Sequence, residues 1–289
     1  MIQVEQVTGP EANHGEGPVW GHWGPNDTGL RYVDMLEGEI LALDRESGRV
    51  SRKKVGKVAA AFRPREGGGM VVALERHFAL VSPTGDVQVL DEVWTDPGIR
   101  FNDGATDPDG RFYCGTMAYD TTPGAGSMYL LDVDRTHRKI WGEVTISNGM
   151  AWNPTGDTVY YIDTPTGKVD AFDYDRQTGI DQSSRRTVVE IPRASGSPDG
   201  MTVDAEGGLW VALWGGSAVH HYSPAGELLD TLALPVTQVS ACTFGGPDLD
   251  ELYITTSAEG LPQGAQPQAG ALFMARPGVR GLPALPFRG

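Results

Sequence analysis

Side chains with oxygen donors recur at one position of a repeated sequence pattern. In six successive copies that position is held by Glu16, Val58, Asn102, Asn148, Asp199 and Ser240. Carboxylate and carboxamide oxygens are the donors that hard divalent cations prefer. Equivalent positions of a radial repeat face a common axis, so Glu16, Asn102, Asn148 and Asp199 are candidate metal ligands and a divalent cation site is predicted on that axis.

The repeated pattern is a turn followed by a short strand. The residues that precede the six turns are Trp20, Phe62, Thr106, Trp152, Val203 and Phe244. They are 42, 44, 46, 51 and 41 residues apart, which is typical of four-stranded propeller blades. We therefore predict an all-β fold, a six-bladed β-propeller with a central divalent-metal site, formed as a single domain by residues 1–289.

The glycines that follow two of the candidate ligands allow a second interpretation. Asn148-Gly149 and Asp199-Gly200 are also ordinary turn-forming pairs. Turns, however, do not require the same phase in every repeat. The shared register therefore favours the metal site.

The two ends of the chain are expected to meet. The first residues, MIQVEQV, alternate like a strand, and such a strand commonly completes the blade formed by the C-terminal segment GALFMARPGV. Helical periodicity, a secretory signal and an apolar run of about 20 residues are missing from the sequence. We expect a cytoplasmic protein that does not bind membranes.

Composition excludes several partners and chemistries. The formal net charge is −15, and nucleic acids and anionic membranes both call for basic patches. Cys114 and Cys242 lie in strand-like segments and are expected to be buried thiols, while the six histidines lack zinc-ligand spacing. No serine elbow, phosphate loop or dinucleotide fingerprint occurs. A small-molecule ligand and a monomer or weak dimer are expected.

Two long irregular segments border the predicted central opening. They are residues 119–126 and 257–270, rich in Thr, Pro, Gly and Gln. Each is interpreted either as a lid over the opening or as a solvated loop without a role.

Several segments carry a family resemblance. GEGPVW, RFNDG, DPDGRFYCGTM, SNGMAW and PDGMTVDAEGGLWVA resemble the regucalcin (senescence marker protein)/gluconolactonase/luciferin-regenerating-enzyme family of six-bladed propellers, nearly from end to end. The resemblance implies a metal-dependent lactonase in which Glu16, Asn148 and Asp199 bind one divalent cation. It also implies that Arg100 and Asn102 contact a sugar lactone.

The chain departs from this family at one position. Members close to regucalcin carry Glu-Glu after the string G-T-M-A, whereas this chain has Tyr119-Asp120. Asp120, with its shorter side chain, is therefore expected to make the acidic contact with the substrate.

The implied reaction is hydrolysis of an aldonolactone to an aldonic acid. A divalent cation would polarise the lactone carbonyl and activate water, and Asp199 would be both ligand and proton acceptor. Calcium, zinc, manganese, magnesium and Fe(II) all fit oxygen ligands, so the metal stays open. Two alternatives also stay open: a metal-dependent phosphotriesterase, and a non-enzymatic calcium-binding propeller.

Overall fold

The computed structural model describes residues 2–289. Over this range the chain forms six antiparallel sheets of four strands each. Each sheet is one propeller blade, which confirms the predicted six-bladed β-propeller.

The strands follow one another around the ring in chain order. The first strand is β1 (Val4–Pro10). The next blades contain β2 (Gly15–Gly24), β3 (Asp27–Asp34), β4 (Glu39–Leu43) and β5 (Val50–Lys54), then β6 (Ala61–Pro64), β7 (Met70–Ala73), β8 (His77–Val81) and β9 (Val87–Glu92). These are followed by β10 (Ile99–Thr106), β11 (Phe112–Ala118), β12 (Gly126–Leu131) and β13 (His137–Val144), then β14 (Ser147–Trp152), β15 (Thr158–Asp163), β16 (Lys168–Asp175) and β17 (Gly179–Glu190). The last strands are β18 (Ser197–Val203), β19 (Leu209–Trp214), β20 (Ala218–Tyr222), β21 (Leu228–Ala233), β22 (Val239–Gly245), β23 (Glu251–Thr256) and β24 (Ala271–Ala275).

The ring closes by pairing the two ends of the chain, as the alternating N-terminus predicted. Strand β1 lies antiparallel to β24, with Val4 opposite Ala275 and Pro10 opposite Ala271. The closing blade therefore has the order β1, β24, β23, β22. Closure of this kind removes exposed sheet edges between the first and last blades.

The innermost strands β2, β6, β10, β14, β18 and β22 lie side by side around the axis. They are largely buried, whereas outer strands such as β9 are mostly exposed. Aromatic side chains fill the space between blades, and the rings of Phe78 and Phe101, from neighbouring blades, have centroids 4.7 Å apart. This packing holds the inner strands in fixed relative positions.

Helical structure is minor. Two 3-10 helices, Thr164–Thr166 and Arg193–Ser195, are found between residues 2 and 289. In that range no helix has the length and apolar character needed to cross a membrane.

The inner strands carry β-bulges where the repeated position lies. The pairing register shifts between Glu16 and Val19 in β2, between Ser147 and Met150 in β14, and between Pro198 and Met201 in β18. Strands β10 and β22 shift in the same place. A bulge redirects a side chain out of the regular alternation of a strand. The bulges therefore determine the direction of the side chains at the repeated position.

The last residues, 279–289, which we call the C-terminal strap, cross the end of the channel where the inner strands finish. Backbone hydrogen bonds tie the strap to separate blades, from Phe287 N to Pro64 O at 2.8 Å and from Gly281 N to Leu249 O at 2.7 Å. A cavity of about 500 Å³ lies between the strap and these strand ends. The opening with the repeated polar position is thus at the other end of the channel.

Candidate active site

The three side chains expected to bind metal are buried around the axis. Glu16 on β2, Asn148 on β14 and Asp199 on β18 are each 5% exposed. Glu16 lies close enough to Asp199 for its negative charge to raise the pKa of Asp199. The fold therefore places two carboxylates and one carboxamide from separate blades in one region.

Close packing explains the glycines beside Asn148 and Asp199. A Cβ atom on Gly149 would lie 2.8 Å from Asp199 O, and one on Gly200 would lie 2.4 Å from Ala241 Cβ. Both glycines lie inside strands β14 and β18, and neither has a positive φ. They are needed because adjacent inner strands approach closely, so the interpretation of these pairs as ordinary turns is wrong.

Burial and mutual repulsion disfavour the charged forms of the buried carboxylates. Burial, followed by the negative charge of Asp103, raises the pKa of Glu16 to about 8, although Gly17 N donates to its Oε2 at 3.0 Å. Burial and then the charge of Glu16 raise the pKa of Asp199 well above its usual value. Burial also raises the pKa of Asp103. A group of buried acids of this kind is stabilised by a bound cation.

The side-chain amide of Asn148 has a fixed orientation. Its Nδ2 donates to Thr164 Oγ1 at 2.9 Å, and Thr164 Oγ1 in turn donates to Pro198 O at 2.8 Å. Its Oδ1 is buried without a hydrogen-bond partner among residues 2–289. A buried carbonyl oxygen without a hydrogen-bond partner destabilises the fold, and it is available to coordinate a cation or to accept a hydrogen bond from a bound molecule.

Arg100 and Asn102 form a buried pair. Arg100 Nη1 donates to Asn102 Oδ1 at 2.6 Å and to Phe101 O at 3.0 Å, and Asn102 Nδ2 donates to Ser147 O at 2.7 Å. Arg100 is only 6% exposed, and burial lowers its pKa. Asn102 therefore uses both polar ends of its amide to hold Arg100 and β14, which does not suit it as a metal ligand.

The other two copies of the repeat contribute no ligand. Val58 is buried in the apolar core, and Ser240 Oγ donates to Gly15 O at 2.5 Å and lies 3.0 Å from Thr255 Oγ1. Within the described residues, no three His, Cys, Asp or Glu side chains come together as a metal-binding group. The candidate trio depends on the carboxamide of Asn148 as its third donor.

Asp120 is not brought to this group. Its side chain is exposed, and its Oδ1 accepts hydrogen bonds from Thr122 N at 3.0 Å and Thr122 Oγ1 at 2.8 Å. These bonds lower the pKa of Asp120 and hold it in its own turn. Asp120 therefore lies outside the buried group, and its expected contact with the substrate stays a prediction. The preceding residue, Tyr119, lies beside Arg100, with its ring centroid 5.7 Å from Arg100 Cζ.

The sequence patterns did not single out a histidine beside the site. His14 Nδ1 lies 2.8 Å from Ser257 Oγ and 3.4 Å from Glu259 Oε2, and its ring meets Trp214 edge to face. Burial and the charge of Arg100 lower the pKa of His14 to about 3, so its contact with Glu259 is not an ion pair at neutral pH. Ser257 and Glu259 both approach Nδ1, which differs from a hydrolytic triad. The sequence feature that could have identified His14 is its position two residues before the candidate ligand Glu16.

The sequence patterns also missed a buried carboxylate, Asp103, and the nearby Arg63. Asp103, adjacent to Asn102, has a buried carboxylate that accepts from Gly104 N at 2.6 Å. Arg63 provides the nearby positive charge that offsets part of the effect of burial on Asp103. Asp103 occurs in the string RFNDG, so its charge was visible in the sequence, but its burial was not.

Both long loops begin beside the site. Strand β11 ends at Ala118 just before Tyr119, and β23 ends at Thr256 just before Ser257. Tyr119 contacts Arg100, and Ser257 contacts His14. Movement of either loop as a lid stays a prediction.

This arrangement defines a class of protein: a six-bladed β-propeller with buried carboxylates and a free carboxamide oxygen on its axis. A sequence model of the "SMP-30/Gluconolactonase/LRE-like region" matches residues 14–258. The chain belongs to the SMP-30/gluconolactonase/LRE-like family.

Relatives match the whole chain. Regucalcin of Sus scrofa is 38% identical over 100% of this chain and 99% of its own length, and regucalcin of Danio rerio is 37% identical over the same shares. Among solved structures, a luciferin-regenerating enzyme matches with a TM-score of 0.89 and 32% identity over 100% of both chains. A calcium-binding protein, regucalcin from Agrobacterium tumefaciens, matches with a TM-score of 0.90 and 28% identity over 98% of this chain and 96% of its own.

Proposed function

We propose that this protein is a metal-dependent lactonase that hydrolyses sugar lactones to aldonic acids. The observation that carries the proposal is the free, buried Oδ1 of Asn148, which lies among the acids Glu16 and Asp199 in a chain of the gluconolactonase family. The neighbouring Arg100, held in place by Asn102, supplies the hydrogen-bond donors that a sugar ring requires.

The donor set fits a divalent cation. Glu16 and Asp199 would supply two negative charges and Asn148 a neutral oxygen, which leaves further coordination positions for water and substrate. Oxygen donors favour calcium, magnesium or manganese, and zinc and Fe(II) can also bind such ligands. When bound, a cation of this kind acts as a Lewis acid on an ester carbonyl and lowers the pKa of water. The calcium-binding regucalcin of Agrobacterium tumefaciens supports calcium as the first metal to test.

The protein's own residues then have separate roles. Arg100, held by Asn102 Oδ1 and Phe101 O, would donate hydrogen bonds to ring hydroxyls or to the ring oxygen of the lactone. Asp199 would accept the proton of the attacking water as the water oxygen bonds to the carbonyl carbon. The bond from that carbon to the ring oxygen then breaks, and the proton passes to the leaving oxygen, giving a hydroxyl group and a carboxylic acid.

The neutral imidazole of His14 would remain in place beside this site. Its Nε2 makes no hydrogen bond with residues 2–289, while Nδ1 contacts Ser257 Oγ. Trp214 packs against the ring edge to face. His14 would therefore present a nitrogen atom to a bound ligand without adding charge at neutral pH.

A substrate screen on metal-stripped protein tests the proposal. The protein would be refilled with one cation at a time and assayed with five- and six-carbon aldonolactones and with a paraoxon-like phosphotriester. Lactone hydrolysis that depends on the cation is the expected result. Preferred hydrolysis of the phosphotriester would support a phosphotriesterase instead, and tight cation binding without hydrolysis of either substrate would support a non-enzymatic calcium-binding propeller.

A further inference from the structure

A tyrosine, a glutamate and a lysine form a connected group at the opening beside Arg100. Tyr119 Oη donates to Glu75 Oε1 at 2.6 Å, and Lys57 Nζ lies 2.6 Å from the same oxygen. The Glu75 side chain is 17% exposed, and Tyr119 is 43% exposed. The carboxylate is thus held in place at the surface of the opening, beside an accessible aromatic ring.

The backbone places Glu75 next to the strand that carries Arg100. Glu75 lies in the turn between β7 and β8, and its carbonyl oxygen accepts from Phe101 N at 3.0 Å. The ring of Tyr119 lies between the two charged groups, with Arg100 Cζ 5.7 Å from its centroid and its hydroxyl bonded to Glu75. Two consecutive contacts, from Glu75 to Tyr119 and from Tyr119 to Arg100, therefore connect Glu75 to the buried part of the site.

Glu75 is ionised at neutral pH. Partial burial alone would raise its pKa, but hydrogen bonds from Lys57 and Tyr119 outweigh that effect and lower the pKa below its usual value. Oε1 accepts both of these bonds, whereas Oε2 accepts none from any described residue. The free oxygen is an acceptor for a ligand, and the neighbouring Arg100 offers only donors.

An exposed lysine contributes mainly by positioning this carboxylate. Lys57 is 75% exposed, so its ion pair with Glu75 adds little to the stability of the fold. Together with the hydrogen bond from Tyr119, this ion pair fixes the direction in which the carboxylate of Glu75 points. Sugar hydroxyls both donate and accept, so an acceptor and a donor on one rim match a polyhydroxylated ring.

We propose that Glu75, held by Tyr119 and Lys57, is the carboxylate that accepts hydrogen bonds from the hydroxyl groups of the sugar lactone. This inference rests on the proposed lactonase function and assigns the specificity-determining acid of the same site. Tyr119 forms the wall beside it. Asp120 is the alternative acid, but it is exposed and bonds only to Thr122 in its own turn, whereas Glu75 is bonded to the Tyr119 that lies beside Arg100.

The test compares substrates with and without hydroxyl groups. Glu75→Gln keeps the shape of the side chain and removes its charge, Tyr119→Phe removes only the bond to Glu75, and Asp120→Asn makes the same charge change on the neighbouring loop. Each variant would be assayed with gluconolactone and with valerolactone, which has no hydroxyl groups. Binding of glucitol, an unreactive polyol, would be followed by NMR titration of calcium-loaded protein, and Tm would report folding.

We expect Glu75→Gln to lower kcat/KM for gluconolactone about tenfold or more, mainly through KM, since a hydrogen bond to a charged group is lost. The value for valerolactone should change less than about twofold, and glucitol binding should weaken in parallel. Tyr119→Phe should give a smaller loss of the same kind, and Asp120→Asn should leave both lactones and glucitol unaffected.

Two results would overturn the assignment of Glu75. One is an equal loss with gluconolactone and valerolactone, and the other is a loss in Asp120→Asn that matches or exceeds that in Glu75→Gln. If the parent protein hydrolyses no lactone with any cation, the proposed function fails by itself. The glucitol titration then decides Glu75: binding that weakens in Glu75→Gln and not in Asp120→Asn supports it, and any other pattern rejects it.

Discussion

Thr164 Oγ1 accepts a hydrogen bond from Asn148 Nδ2 at 2.9 Å, and this bond determines which end of the amide is free. The same hydroxyl donates to Pro198 O at 2.8 Å, directly before Asp199. Thr164 therefore links the strands of two candidate ligands and leaves Asn148 Oδ1 without a partner. Groups that orient a ligand in this way commonly affect metal binding almost as much as the ligand itself.

Replacement of Thr164 should weaken metal binding without removing any ligand. We expect Thr164→Val to lower calcium affinity about 10- to 100-fold, because the amide of Asn148 is no longer held with Oδ1 free. Isothermal titration calorimetry would measure the change. Thr166→Val, in the same short helix and exposed, is the matched control and should bind calcium like the parent. Equal affinities in all three proteins would contradict the proposed role of Thr164.

The two ligands on neighbouring strands should differ in their response to excess metal. Asp199→Ala removes a ligand and the proposed proton acceptor together, so lactone hydrolysis should fall by several orders of magnitude at every metal concentration. Asn148→Ala removes a neutral donor and should recover part of its activity as the cation is raised. Steady-state kcat across a metal titration would show the difference. Full activity of Asp199→Ala at saturating cation would place the chemistry elsewhere.

Stabilisation by calcium should depend on pH in a direction set by Glu16. Its pKa in the metal-free folded protein is about 8, above the value of 4.5 for an unperturbed glutamate. The folded state therefore binds its proton more tightly than the unfolded state does, and the stability contributed by this group falls as pH rises between these two values. Calcium must displace that proton at pH 6 but not at pH 9.

We expect the rise in Tm on addition of calcium to be larger at pH 9 than at pH 6, as followed by differential scanning fluorimetry. Glu16→Gln removes one of the buried titrating carboxylates and should reduce this pH dependence, although it also weakens binding. A calcium effect on Tm that is the same at both pH values in the parent protein would show that proton displacement from this site does not accompany binding.

The C-terminal strap should contribute strongly to stability. Phe287 is fully buried, and its backbone pairs with Pro64 and Glu66. Phe287→Ala should lower the free energy of unfolding by about 3–5 kcal/mol, because a large buried side chain leaves a cavity. Val89→Ala, on an exposed outer strand, should change it by less than about 0.5 kcal/mol. Urea denaturation would measure both, and equal effects would show that the strap is not packed as described.

The sequence by itself determined the repeat, the six blades and the closure by the first strand. These features depend on turn residues and on alternating apolar residues, which act on their immediate neighbours in the chain. The equivalence of Glu16, Asn148 and Asp199 could be predicted for the same reason, since each lies at the same distance before a turn. The bulges that aim these side chains fall at that same position.

Only the tertiary structure decided how the remaining side chains are used. Tyr119 and Glu75 are 44 residues apart, and His14 and Ser257 are 243 residues apart, so no local pattern could pair them. Asp120 and Tyr119 are adjacent in sequence, yet one bonds to Thr122 and the other lies beside Arg100. The direction of a side chain and its burial depend on which blades pack together, and that is set by the closed ring as a whole.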